Sequence, residues 1–164
     1  MKSLAIGIVV ILGAFYWLSE RSTSVTKISE NRAAATSTAS TWSTDYKKAQ
    51  NEARASHKLV LINFTGSDWC GYCIQLDRAI LSQPQFKDYA NRNLILLEID
   101  FPRRKPQSVE VRKQNQELAE RYQVEGFPTL VVLDGEGKTL WRYDGMYTGG
   151  VAAFLAELDK VRKG

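Results

Sequence analysis

The chain has 164 residues and a formal net charge of +4, and its length allows one domain with appendages. Residues 1–41 carry half of that net charge, so the remaining residues, with 18 basic and 16 acidic side chains, are close to neutral. This balance argues against a nucleic-acid binder, which needs a basic surface. The two cysteines are too few for a disulfide-stapled scaffold.

The N-terminus has the pattern of a membrane anchor or an export signal. Lys2 precedes an uncharged, mostly apolar run, residues 4–18, which is marginal for a full membrane span. The charge before the run favours export of the residues that follow. Because residues 15–18 are bulky and no small-residue cleavage site follows them, we predict that residues 1–21 are an uncleaved anchor contacting the lipid bilayer. A cleaved signal peptide is the alternative.

A tether is predicted between this segment and the domain. Residues 22–41 are rich in Ser, Thr and Ala and contain few large apolar residues. Such a composition cannot bury enough apolar surface to order itself. We therefore expect a disordered tether over residues 22–41 and a single domain over residues 42–164.

Hydrophobic periodicity divides residues 42–164 into helices and strands. A first helix is predicted through His57, capped by Ser43 or Thr44. Further helices are predicted from the cysteines to about residue 81 and over residues 84–90, 108–122 and 151–161, and strands over residues 59–64, 94–99, 129–133 and 139–143. Residues 94–99 read as a buried parallel strand. Residues 134–137, Asp-Gly-Glu-Gly, predict an antiparallel hairpin turn between the last two strands.

A predicted loop carries three consecutive positive charges, Arg103, Arg104 and Lys105. A charge run of this kind is typical of a solvated turn. Contact with an acidic partner or with a lipid surface is the alternative interpretation.

Cys70 and Cys73 are the only cysteines, and they lie where a buried strand gives way to a helix. A helix N-terminus favours the thiolate of the first cysteine, and the second lies close enough to close a disulfide. A redox pair is therefore the main hypothesis. A structural disulfide is one alternative, and a metal site is another, although His57 is the only further Cys or His ligand in the chain.

Two separated motifs resemble those of the thioredoxin family. Residues 69–73, Trp-Cys-Gly-Tyr-Cys, resemble its active site, and residues 126–129, Gly-Phe-Pro-Thr, resemble its cis-proline loop. Residues 64–70 look most like bacterial envelope proteins related to the C-terminal domain of the transmembrane thiol:disulfide interchange protein. The resemblance implies an α/β thioredoxin fold, with a central mixed β-sheet flanked by helices.

The resemblance also implies roles for particular residues. Cys70 would be the nucleophile and Cys73 the resolving thiol, and no cofactor or metal would be needed. The residues expected to contact substrate are Trp69, Gly71, Tyr72, Phe127 and Pro128.

Two departures from the family pattern affect proton transfer and charge at the site. Thioredoxins bury an acid at the position of Asn63, and the lysine that usually accompanies it is replaced by Leu96. An amide cannot accept the Cys73 proton as a carboxylate would. Asp68 is expected to oppose stabilisation of the nearby thiolate by the helix dipole.

The sequence therefore predicts a monomeric thiol:disulfide oxidoreductase that reduces protein disulfides in the bacterial periplasm, tethered to the inner membrane or soluble after cleavage. Its expected partners are protein disulfides and dithiols, the lipid bilayer and a membrane electron donor, because an oxidising compartment must be supplied with electrons. No nucleic acid is expected. A non-catalytic peptide-binding chaperone or assembly factor using the cis-proline groove, and a copper- or haem-delivery thiol protein, are the alternatives.

Overall fold

The structure is a computed structural model, and it describes residues 41–164. The predicted anchor and almost all of the predicted tether lie outside the described residues. The elements, in chain order, are α1 (Tyr46–Ser56), β1 (Leu59–Thr65), α2 (Gly71–Leu76), α3 (Pro84–Asn93), β2 (Leu94–Asp100), α4 (Val109–Arg121), β3 (Thr129–Leu133), β4 (Thr139–Asp144) and α5 (Gly150–Lys163). A π-helical segment, Asp77–Leu81, continues α2 without a break.

Four strands form a mixed sheet in the order β2-β1-β3-β4. β1 and β2 are parallel, whereas β3 is antiparallel to both β1 and β4. Ser43 extends the pairing at the outer edge of β2, where it bridges Leu97 in parallel. The predicted parallel strand and the predicted antiparallel hairpin are both confirmed.

Each face of the sheet buries its own apolar core, because successive side chains of a strand point to opposite faces. Helices α2, α3 and α5 cover the first face, and the first core includes Leu61, Leu76, Ile80, Phe86, Leu96, Leu130, Phe154 and Leu158. Helices α1 and α4 cover the second face, and the second core includes Ala49, Ala53, Val60, Ile62, Phe64, Leu97, Leu118 and Val131. The sheet is therefore enclosed between two helical layers.

The first helix begins later than the sequence suggested. Its N-cap is Asp45, whose carboxylate accepts a hydrogen bond from the Lys48 amide at 3.0 Å. Ser43 cannot start the helix because its backbone is paired with β2, and its hydroxyl instead accepts the amide of Asp45 at 3.2 Å. The prediction of Ser43 or Thr44 as the cap was therefore wrong.

The architecture is the thioredoxin fold that the two motifs predicted. Its central mixed sheet is flanked by helices, and β1 leads directly into the active-site loop before α2. In the part of the chain that the structure describes, no helix combines the length and the apolar character needed to cross a membrane.

Candidate active site

The two cysteines form a disulfide at the start of α2. Cys70 is the N-cap residue, and its sulfur accepts a hydrogen bond from the Cys73 amide at 3.2 Å. The Cα atoms of the two residues are 5.2 Å apart, within the usual range for a disulfide. An amide aimed at the first sulfur stabilises negative charge there, so the geometry favours Cys70 as the thiolate of the reduced form.

Exposure does not distinguish the two cysteines, because Cys70 is 7% and Cys73 5% exposed. The two cysteines differ instead in their position relative to a cavity on the surface. A cavity of about 450 Å³ opens beside the disulfide, and its lining includes Cys70 but not Cys73. The lining residues are Trp69, Cys70, Gly71, Tyr72, Val124, Glu125, Gly126 and Phe127. Four of the five residues predicted to contact substrate therefore share one groove with Cys70.

The fifth predicted residue, Pro128, is not among the residues that line the groove. It is buried at the start of β3, and the Phe127-Pro128 peptide bond is cis, as the family resemblance implied. The carbonyl oxygen of Phe127 is 3.7 Å from the sulfur of Cys70. The fold thus brings two motifs that are more than fifty residues apart in the chain into contact.

Aromatic rings connect the groove to the loop after β2. The ring of Phe127 meets Trp69 edge-on, with centroids 6.0 Å apart, and stacks on Phe101 at 5.1 Å. The indole nitrogen of Trp69 donates to the carbonyl oxygen of Phe101 at 2.8 Å. A Cβ on Gly66 would lie 2.5 Å from the indole of Trp69, so this position requires glycine.

The Asp68 carboxylate is held by hydrogen bonds from the loop after β2. It accepts the amides of Arg103 at 3.0 Å and Arg104 at 2.7 Å, and the side chain is only 7% exposed. The Arg103 amide is the main cause of its lowered pKa, with further contributions from the Arg104 and Lys105 amides and the Arg104 charge, while burial opposes the shift. The effect of Asp68 on the thiolate remains a prediction. In the structure, Asp68 also holds the basic loop, residues 101–106, in place.

Asn63 lies on the sheet face that α2 covers, two residues along β1 from Leu61 of the first core. It is 6% exposed, and its Oδ1 has no hydrogen-bond partner among residues 41–164. Glu98 of β2 is paired with it in register. Leu96 belongs to the first core on the same face of β2, so the position at which the resemblance implied a lysine is occupied by a buried leucine.

Glu98 is a carboxyl group near the site that sequence reasoning missed. Burial raises its pKa, and the charges of Asp100 and Asp77 add to the effect, whereas Lys105 opposes it. The parallel pairing of β1 and β2 could have identified it, since that register places residues 63 and 98 side by side.

Asp100 was also missed. It is 9% exposed and accepts both the amide and the hydroxyl of Ser67, at 2.8 and 2.6 Å. The signal was its position at the carboxyl end of a strand parallel to β1, because such ends meet at one edge of a sheet. Asp100 thereby fixes the start of the loop that carries Cys70.

The family follows from a direct comparison. A family model described as a thioredoxin-like domain matches residues 46–162, well over half of the chain. The chain belongs to the thioredoxin-like family. Both cysteines and the cis-proline loop lie within the matched residues, so the site described above is part of the family domain.

Three relatives of this thioredoxin-like protein indicate its chemistry. It is 42% identical over 118 residues to the disulfide bond reductase DsbH of Chlamydia pneumoniae, covering 72% of this chain and 70% of that protein. A solved structure titled DsbH Oxidoreductase superimposes with a TM-score of 0.70 at 41% identity, covering 75% of this chain and 84% of the other. The thiol:disulfide interchange protein DsbD of Photorhabdus laumondii is 31% identical over 85 residues, which are 52% of this chain and 13% of that protein.

These relatives share the chemistry that the cysteine pair can perform. Their names describe reduction or interchange of disulfides. The disulfide at the N-terminus of α2, beside an open groove, supplies the reactive group. The protein is a thiol:disulfide oxidoreductase.

Proposed function

We propose that this oxidoreductase works as a reductant of protein disulfides in the bacterial cell envelope. The observation that carries the proposal is the sulfur of Cys70, which accepts the Cys73 amide and faces a groove lined by the cis-proline loop. The direction is supported by 42% identity to a protein named a disulfide bond reductase. The location is supported by the apolar run at residues 4–18.

The reaction transfers two electrons from the enzyme dithiol to the substrate. The Cys70 thiolate attacks one sulfur of the substrate disulfide; the substrate S–S bond breaks, and its first thiolate leaves and takes a proton. Cys73, as it loses its proton, then attacks the Cys70 sulfur of the mixed disulfide. The Cys70–Cys73 bond forms, and the second substrate thiol is released.

The groove residues position the substrate chain in this scheme. Trp69, Gly71, Tyr72 and Phe127 line the groove, and Pro128 follows Phe127 through a cis peptide bond. Tyr72 is 66% exposed and is available to contact a bound polypeptide. A dithiol protein of the membrane would return electrons to Cys70–Cys73, and the enzyme would act as a monomer tethered near that donor.

Reduction of insulin by the full chain with a dithiol as electron source tests the activity. Cys70→Ser should abolish it, because the attacking sulfur is absent. A Cys70→Ser protein that retained the rate would contradict the mechanism, and one that still restored envelope function in cells would favour the peptide-binding alternative.

Trapping in the native host tests the roles of the two cysteines. Cys73→Ala should accumulate substrates disulfide-linked to Cys70, since the mixed disulfide cannot be resolved. Cys70→Ala is the matched control and should trap far less, because Cys73 does not line the groove. Equal trapping by the two variants would overturn the assignment.

A further inference from the structure

The backbone of the basic loop, residues 101–106, is hydrogen-bonded to the active-site loop. Its backbone amides at Arg103 and Arg104 bind the Asp68 carboxylate. The Arg104 guanidinium also donates to the carbonyl oxygen of Asp68. The ammonium group of Lys105 donates to the hydroxyl of Ser67 at 3.0 Å. The three side chains are exposed, as expected of a solvated turn, and the backbone of the turn is in addition held by Asp68.

This attachment places positive charge at the edge of the groove. The guanidinium carbon of Arg103 lies 3.9 Å from the ring centroid of Trp69, and Trp69 lines the groove beside Cys70. A cation over an indole face is held by the quadrupole of the ring. Arg103 thus lies against a residue that lines the redox groove.

Much of this charge is not neutralised within the described chain. Arg104 has the Asp68 carboxylate 4.0 Å away. Within residues 41–164, Arg103 and Lys105 form no ion pair with a carboxylate. Among residues 41–164, the lining of the groove includes one charged residue, Glu125. Positive charge therefore lies beside the groove, next to Trp69, and not in its lining.

We propose that Arg103, Arg104 and Lys105 form a cationic rim that selects polypeptide substrates with acidic side chains next to the disulfide. The inference rests on the proposed reductase function and adds a substrate class to it. An aspartate or glutamate of the substrate passing over Trp69 would meet Arg103, with Arg104 and Lys105 following on the same loop. Positive charge beside a cleft raises the local concentration of an oppositely charged ligand.

Synthetic peptides test the rim directly. Three disulfide peptides, flanked by aspartate, by serine or by lysine, are compared with the full-length enzyme through kcat/KM. We expect the aspartate peptide to be reduced about ten-fold faster than the lysine peptide at low salt. Raising the salt from about 0.01 M to about 1 M shortens the screening length from about 30 to about 3 Å, and the ratio should fall towards one.

The double variant Arg103→Gln/Lys105→Gln removes the two unpaired charges and keeps the backbone amides that bind Asp68. Its ratio of kcat/KM for the aspartate peptide to that for the lysine peptide should fall to within about two-fold of unity, as expected once electrostatic steering is lost. Lys87→Gln/Lys138→Gln is the matched control, because it removes two exposed positive charges from α3 and from the turn before β4 rather than from the loop beside Trp69. It should keep the preference.

Three results would overturn the rim. A wild-type ratio near one between the kcat/KM values of the aspartate and lysine peptides would show that the enzyme does not select acidic substrates. An equal loss of rate for the serine peptide in the double variant would show that the loop acts on the thiolate. Loss of binding to anionic phosphatidylglycerol vesicles with an unchanged peptide ratio would show that the rim contacts lipid. Failure of the wild-type enzyme to reduce the serine peptide would instead contradict the proposed function itself.

Discussion

Asn63 is an unusual residue for the interior of this protein, because a buried side-chain oxygen ordinarily has a hydrogen-bond partner. Its Oδ1 has none among residues 41–164, and it lies on the sheet face covered by the helix that carries Cys73. An amide cannot take up a proton. We therefore propose that resolution of the mixed disulfide depends on water or on another group to carry the Cys73 proton.

Asn63→Asp should change this step. We expect faster resolution near neutral pH and one additional ionisation in the pH–rate profile, measured by stopped-flow reduction of a model disulfide. The variant should also be less stable, because the new carboxylate is buried beside Glu98 without a lysine. Adding Glu98→Gln should restore part of that stability. Superimposable profiles for wild type and Asn63→Asp would mean that Asn63 only fills space.

Glu98 gives a prediction for the pH dependence of stability. Because burial raises its pKa in the folded state, the folded protein binds the Glu98 proton more tightly than the unfolded chain does. The stability gained from this proton is complete below the ordinary glutamate pKa of about 4.3. It is lost as the pH rises through the pKa of Glu98 in the folded state. Glu98→Gln should therefore increase the free energy of unfolding at pH 7, by less than about 1 kcal/mol because water screens a partly exposed group.

Urea unfolding of the oxidised proteins at acid and neutral pH measures this difference. The advantage of Glu98→Gln should shrink towards acid pH, where wild-type Glu98 is protonated. Glu52→Gln, an exposed position on α1, is the control and should show no such pH-dependent advantage. A Glu98→Gln protein less stable than wild type at pH 7 would contradict the expected direction of the stability change.

At the level of elements, the loop between β1 and α2 is held from several sides. Asp100 binds Ser67, the basic loop binds Asp68, and Trp69 lies over Gly66 with its nitrogen bonded to Phe101. These bonds tie the residues just before Cys70 to the end of β2. The cysteine is thus positioned by two parallel strands and not by α2 alone.

Gly66→Ala should disturb this arrangement. The new Cβ would overlap the middle of the indole, so we expect Trp69 to move, its fluorescence to shift to longer wavelength, and stability to fall by about 1–3 kcal/mol. Gly71→Ala is the matched control, because a Cβ there meets nothing within 4 Å. Trp69→Phe identifies the signal of this indole among the four tryptophans of the chain. An unchanged spectrum in Gly66→Ala would contradict the packing.

For the whole molecule, we propose that residues 1–18 stay attached and hold the domain at the outer face of the inner membrane. This proposal is based on the apolar run of residues 4–18, which ends in bulky residues. Mass spectrometry of the protein from its native host should find the intact N-terminus. A mature N-terminus anywhere after residue 18 would exclude the anchor. The domain itself should fold after deletion of residues 1–41, since both cores lie beyond them.

The sequence by itself determined the redox pair, the cis-proline loop and the order of helices and strands. These features are written locally, in the spacing of Cys70 and Cys73, in the residues around Pro128 and in hydrophobic periodicity. The first helix boundary was the local error: Ser43 and Asp45 are both good caps, and the pairing of Ser43 with β2 decided between them.

Only the tertiary structure decided what surrounds the disulfide. The proximity of Glu98 to Asn63 depends on strand register, and the position of Arg103 over Trp69 depends on how a loop more than thirty residues away folds back. Residues so far apart in the chain leave no periodic signal, because their contact is fixed by the packing of the whole sheet. The sequence thus determined the chemistry of the two cysteines, and the fold decided which charged residues lie beside their groove.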